Sequence, residues 1–128
     1  MNSFCFIDKV TELKKKETLE ALYTLKGDEE FLKDHFEGFP VMPGVLLLES
    51  LKQAASSLLS ASFDLENRFF RLIKADSVKF GQFVRPGSEL KIGARFLGRE
   101  GDSFLCDGWI NVGDKKALSA SIALAPIR

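Results

Sequence analysis

One histidine and two cysteines among 128 residues leave little from which to build a metal site or a disulfide framework. A tetrahedral Cys/His zinc centre needs more ligands than His35, Cys5 and Cys106 supply, so no metal is expected. The two cysteines stand far apart, in no C-x-x-C spacing, which speaks against redox-motif and disulfide roles. Cys106 is in phase with Phe104, Ile110 and Val112 and reads as a buried core thiol. Net charge is also missing: 18 Lys and Arg balance 18 Asp and Glu, which removes the broad attraction of a nucleic-acid binder. No apolar run approaches the roughly 18 residues of a membrane span, and no basic-then-apolar leader opens the chain. A cytoplasmic protein with no membrane partner is expected. Against these shortages stand twelve phenylalanines, a large supply of apolar area for so short a chain. A chain of this size buries only about two-thirds of its unfolded surface, so self-association would help it.

Organisation follows from periodicity. Phe4 to Leu13 leans apolar and predicts a strand or strand-turn, and Lys14-Lys15-Lys16 a solvated turn. From Glu17 to Lys26 the chain alternates, with Leu19, Ala21, Tyr23 and Leu25 on one face of a half-buried strand. Asp28 to Asp34 predicts a short helical turn or loop. Pro43 is well placed to open a helix over Val45 to Leu59. That helix is apolar round most of its circumference and is expected to be buried, with a narrow polar stripe of Glu49, Gln53, Ser56 and Ser60. Beyond Asn67 the pattern is antiparallel sheet: Phe69 to Phe83, then a Pro86-Gly87 turn, then Leu90, Ile92, Ala94 and Phe96 alternating. A hairpin over Gly98 to Asp102, a strand Ser103 to Val112, a Gly113-Asp114 turn and a strand Lys116 to Ile127 follow. Long antiparallel strands with one nearly all-apolar helix predict a single α+β domain over residues 1–128, its sheet curled round the helix.

The chemistry-bearing segment runs from His35 to Glu49, HFEGFPVMPGVLLLE. The only imidazole precedes a Pro/Gly-stiffened loop that enters the helix, whose unpaired N-terminal amides suit a developing negative charge. Glu49 lies about one and a half turns inside, among leucines. Base, acid and oxyanion donor are thereby offered together. The residues alone leave open a plainer reading, with His35 solvated or capping and Glu49, Gln53 and Ser56 the wet stripe of an amphipathic helix.

The segment resembles the signature of the β-hydroxyacyl-acyl carrier protein dehydratases, the FabZ/FabA group of the hot-dog fold. Their pattern is H-F-x-G-x-P-x-x-P-G-V, then a carboxylate fourteen residues after the histidine and Gln four further on. His35, Phe36, Gly38, Pro40, Pro43, Gly44, Val45, Glu49 and Gln53 match it. Downstream, Lys79-Phe80 and Val84-Arg85-Pro86-Gly87 resemble the strand and turn before the family's last long strands. The resemblance implies a sheet wrapped round one helix, dimers sharing one continuous sheet and often trimers of dimers. It implies elimination of water from a (3R)-3-hydroxyacyl thioester, carried by acyl carrier protein or coenzyme A, to the trans-2-enoyl thioester without any cofactor. By position, His35 is then the base at C2 and Glu49 the proton donor to the leaving hydroxyl. The Gly44 amide is the donor to the thioester oxygen, Gln53 orients Glu49 from one turn along the same face, and Pro43 and Val45 are supporting residues of the site. Glutamate at position 49 resembles the FabZ branch. Glu37 replaces a usual proline, Phe39 a common Lys or Arg, and Phe70 a frequent tyrosine at the substrate tunnel. Arg68, Arg71, Lys74, Lys79 and Arg85, against the single acid Asp76, form a candidate docking surface for an acidic carrier. Two other readings remain: a hot-dog acyl thioesterase, and a non-catalytic acyl-binding protein.

Overall fold

The computed structural model of the chain describes residues 5–26, 42–63 and 70–127. Residues 27–41 lie outside them, and with them the expected turn at Asp28 to Asp34. Six strands and one helix follow in the order β1 (Lys9–Lys14), β2 (Thr18–Thr24), α1 (Gly44–Phe63), β3 (Phe70–Phe80), β4 (Glu89–Glu100), β5 (Ser103–Val112) and β6 (Lys115–Pro126). The strands form one antiparallel sheet in the order β1-β2-β4-β5-β6-β3. β3 therefore leaves its sequence neighbour and lies at an edge of the sheet, paired among the described residues with β6 alone.

Period-2 patterning dictates which face turns to the helix. Leu19, Ala21 and Tyr23 of β2, Leu90, Ile92 and Ala94 of β4, and Phe104, Cys106 and Ile110 of β5 are buried as their alternation requires. Against them α1 lays Leu47, Leu51, Ala54, Ala55, Leu58 and Leu59. Only this one side of the helix is buried within a single chain. Val45 is 69% exposed, and Leu46 and Leu48 are half-buried, so the expectation of a helix buried all round is corrected. The helix can sit so close because β5 carries Gly108 beneath it: a Cβ there would fall 2.1 Å from Leu51 Cδ1.

Other boundaries also shift. α1 runs four residues beyond the expected end, because Phe63 packs on Phe96 and Phe104, with ring centroids 5.2 Å away in both cases. Gly98 to Glu100 belong to β4, and the hairpin is reduced to Gly101-Asp102, with Gly101 at φ 61°. The opening strand begins at Lys9, not Phe4. Residues 5–8 instead form a strap across the helix, with Phe6 buried edge-on to Tyr23 at 5.6 Å. Among the described residues no helix is long and apolar enough to cross a membrane.

Candidate active site

The two ends of the barrel-like core differ. At the C-terminal end of α1, Phe63, Phe70, Phe96 and Phe104 close it with tilted and edge-on rings. Phe70, 2% exposed, belongs to this plug. At the N-terminal end the core opens into an apolar cavity of about 300 Å³, lined by Met42, Pro43, Gly44, Leu47, Phe80 and Phe83 among others.

Backbone hydrogen bonds hold that mouth. The Met42 amide donates to Val84 O at 2.8 Å, and Gly81 N and Gln82 N donate to Ala117 O and Lys116 O, both at 2.9 Å. The loop after β3 is thus tied at once to β6 and to the helix entry. The Pro43 carbonyl accepts from Leu46 N at 3.0 Å and Leu47 N at 3.2 Å, which starts the helix there. Gly44 is the first helical residue, so its N–H has no partner within the helix. The bare backbone lets the Phe80 ring lie close: a Cβ would come 2.8 Å from Phe80 Cε1 and push the exposed ring aside. Bare backbone, an unpaired amide and an apolar wall therefore meet at one point. Val45 points away, outward.

Glu49 follows about 7.5 Å further along the helix axis. The sequence places it among leucines, but the structure puts it at the partly exposed edge of the polar stripe, its side chain 36% exposed. Gln53 Nε2 donates to its Oε2 at 3.1 Å, and Lys52 Nζ lies 3.6 Å from the same oxygen. Gln53 is oriented from behind, since its Oε1 accepts from Phe6 N at 2.8 Å. Ser50 Oγ donates to Phe6 O at 3.2 Å, so the strap is pinned through both backbone groups of one residue. An amide whose oxygen is taken by an N–H must turn its NH2 the other way, toward Glu49.

His35, with Phe36, Glu37, Gly38, Phe39 and Pro40, lies outside the described residues, as does Arg68. The structure brings together Gly44 with the cavity and Glu49 with Gln53. The basic residues do not converge on one spot. Arg85 follows Val84 of the cavity lining, whereas Lys79 lines a separate shallow groove with Arg95, Asp107 and Trp109. Arg71 stands eight residues up the strand, roughly 26 Å from Lys79. Lys74 is engaged with Asp76 at 3.3 Å. Cys106 is buried as expected; desolvation, and then the Asp107 charge, push its thiol up to about 12. Sequence reasoning missed Lys52 and the strap. The Glu-x-x-Lys spacing on a helix could have found the lysine. No local signal announces a strap whose anchors are 44 and 47 residues away.

The FabA-like domain family matches residues 1–121. The chain is 38% identical over 117 residues to the 3-hydroxyacyl-(acyl-carrier-protein) dehydratase FabZ of Pediococcus pentosaceus, covering 91% of this chain and 78% of that relative. With the protein of the same name from Legionella pneumophila it shares 36% over 125 residues, covering 95% and 83%. Among solved structures, the dehydratase heterocomplex ApeI:P from Xenorhabdus doucetiae superposes with a TM-score of 0.78 over 96% of this chain and 83% of that one, at 15% identity. A hypothetical thioesterase with coenzyme A from Streptococcus pneumoniae gives 0.70 over 93% and 84%, at 11% identity. The structural likenesses carry the fold alone, a hot-dog, in which dehydratases and thioesterases both occur. The sequence relatives go further: with a domain match over nearly its whole length and FabZ relatives aligned over nine-tenths of it, this chain belongs to the FabA-like family.

Proposed function

We propose that the chain eliminates water from a (3R)-3-hydroxyacyl thioester to give the trans-2-enoyl thioester, in fatty acid or related acyl-chain synthesis. The observation that carries the reading is the helix entrance: an unpaired Gly44 amide on an apolar cavity, with Glu49 one and a half turns behind it. His35 takes the C2 proton, and charge grows on the thioester oxygen, where the Gly44 N–H donates to it. The C3–O bond then breaks, Glu49 gives its proton to the departing oxygen and water leaves. No cofactor enters this scheme. The apolar cavity suits an acyl chain, and the substrate rides on an acidic carrier protein that meets Arg85 beside the cavity lining, with Arg68, Arg71, Lys74 and Lys79 the other basic residues of the docking surface. A cytoplasmic location and a homodimer, or a trimer of dimers, fit the same scheme.

The test is incubation with 3-hydroxyacyl thioesters of several lengths while the conjugated enoyl product is followed. Enoyl product supports the reading. Free thiol without it indicates a thioesterase, and neither product indicates a binding protein. His35→Ala and Glu49→Gln should each lower the rate by roughly 10² to 10⁴. In the dimer the reading implies, His35 of one protomer serves Glu49 of its partner. Equal amounts of the two inactive mutants, refolded together, should then recover about a quarter of wild-type activity, because about half the dimers are mixed and each has one intact site. A mixture that stays inactive although mixed dimers form would refute the shared site.

A further inference from the structure

The two oxygens of Glu49 are not equivalent. Oε2 receives Gln53 Nε2 at 3.1 Å and faces Lys52 Nζ at 3.6 Å, while no donor among the described residues reaches Oε1. An ammonium offers only donors, and so does the NH2 of a glutamine amide. A carboxyl proton placed on Oε2 would point at these hydrogens, with no acceptor to receive it. The Gln53 amide cannot turn round to offer its oxygen, because that oxygen is held by Phe6 N. Lys52 is also no loosely solvated surface lysine: its side chain is 26% exposed, less than that of the glutamate it faces. An isolated pair of this kind on a helix adds little to stability, so its consequence is sought in position.

Building on the dehydratase reading, we infer that Lys52 is a positioning residue for Glu49. With Gln53 it occupies Oε2, so the transferable proton sits on Oε1 and that oxygen meets the substrate. In the elimination the C3–O bond breaks with its electron pair on oxygen, the proton passes from Oε1 to that oxygen, and water departs. The carboxylate left behind keeps Oε2 between Lys52 and Gln53, and Oε1 takes a proton from solvent before the next turnover. Lys52 touches neither substrate nor reacting atoms. It acts through Glu49.

The experiment compares Lys52→Met, which keeps length without charge, with Lys52→Arg, which keeps the charge. A small pantetheine 3-hydroxyacyl thioester is the substrate, so that carrier docking is not involved. Lys52→Met should lower kcat about tenfold with KM within about twofold and an unchanged melting temperature, and Lys52→Arg should restore at least half of wild-type kcat. Wild-type kcat in Lys52→Met would overturn the inference, as would a loss that Lys52→Arg fails to rescue. A second measurement reads the pair without turnover: the lysine ammonium resonances in wild type and in Glu49→Gln. The Lys52 Nζ signal should move when Glu49 loses its charge, and an unmoved signal overturns the inference. If wild type forms no enoyl product, the dehydratase reading itself falls, and the spectra show separately whether the Lys52–Glu49 pair stands.

Discussion

Gly108→Ala is the sharpest probe of how the helix is seated. The added Cβ would stand 2.1 Å from Leu51 Cδ1 and 2.7 Å from both Cδ2 and Cγ. Leu51 is fully buried, and the whole isobutyl group is struck, so a rotamer change alone does not clear the clash. Restoring ordinary contact at 3.4 Å asks the helix and sheet to part by about 1.3 Å. Overpacking of this kind costs typically 1–3 kcal/mol. For a domain of this length that corresponds to a drop in Tm of roughly 4–12 °C. Activity should suffer separately, because Glu49 is two residues from Leu51 and Gly44 seven, on the same rigid helix. A displacement of about 1 Å at a catalytic group can cost about 10²-fold in rate. Thermal unfolding followed by circular dichroism, beside the enoyl-forming rate at a temperature where the mutant is folded, reads both effects. Leu51→Ala alone should cost about 2–5 kcal/mol through its cavity. Joined with Gly108→Ala it empties the space the new methyl needs, so the double mutant should be more stable than the sum of the single losses predicts, by about 1 kcal/mol or more. A Gly108→Ala protein that melts within a degree or two of wild type at full rate would refute this seating, and strict additivity would refute the contact.

Gly44→Ala meets only the edge of Phe80, whose ring is 57% exposed and free to swing, so its Tm should stay near wild type. Gly44→Pro removes the N–H and should lower the dehydration rate by about 10² to 10³; full activity at unchanged Tm would assign the thioester oxygen to another donor. Arg85→Glu should slow reaction with carrier-bound substrate more than with a pantetheine thioester, and more than Arg71→Glu or Lys79→Glu does, since Arg71 is far from the cavity mouth and Lys79 lines a separate groove. Equal effects on both substrates would remove Arg85 from docking. Native protein at pH 8 should take up one alkylating label per chain, at exposed Cys5, because the Cys106 thiol is buried and pushed up to about 12. Two labels would show that the core opens.

The parts of the fold legible in the sequence are those where one face is buried and the other wet. β2 and β5 alternate cleanly and their inward residues are buried as read, while β4 does so through Leu90, Ile92 and Ala94, with Gly93 buried between them and Phe96 half-buried. β3 is harder, because an edge strand with bulges between Leu72 and Lys74 and between Asp76 and Lys79 keeps no steady alternation. A row of basic residues in sequence therefore does not become one patch in space. The end of α1 was hidden because Ser60 to Phe63 carries little apolar periodicity; distant rings from β4 and β5 make Phe63 helical. At the site, Gly44, Glu49 and Gln53 were legible because helical spacing is local. The way Gln53 is oriented was not, because its oxygen is held by the Phe6 amide, 47 residues away in the chain.

The strand order also sets a timetable for synthesis. Among the described residues β3 pairs with β6 alone, so during translation it must wait for 46 more residues, from Phe80 to Pro126, before that pairing is complete. At ordinary elongation speeds that interval is roughly 2–9 s. Throughout it, a strand carrying Ile73, Val78 and Phe80 hangs without a neighbour, while β4 and β5 can already close their hairpin. Two nascent chains on one message could splice such strands together. Arg71, Lys74 and Lys79 are spaced along that same strand, and like charges facing each other across a false pair oppose it. Neutralising them should therefore lower the yield of soluble chain in the cell even where the purified protein is unharmed.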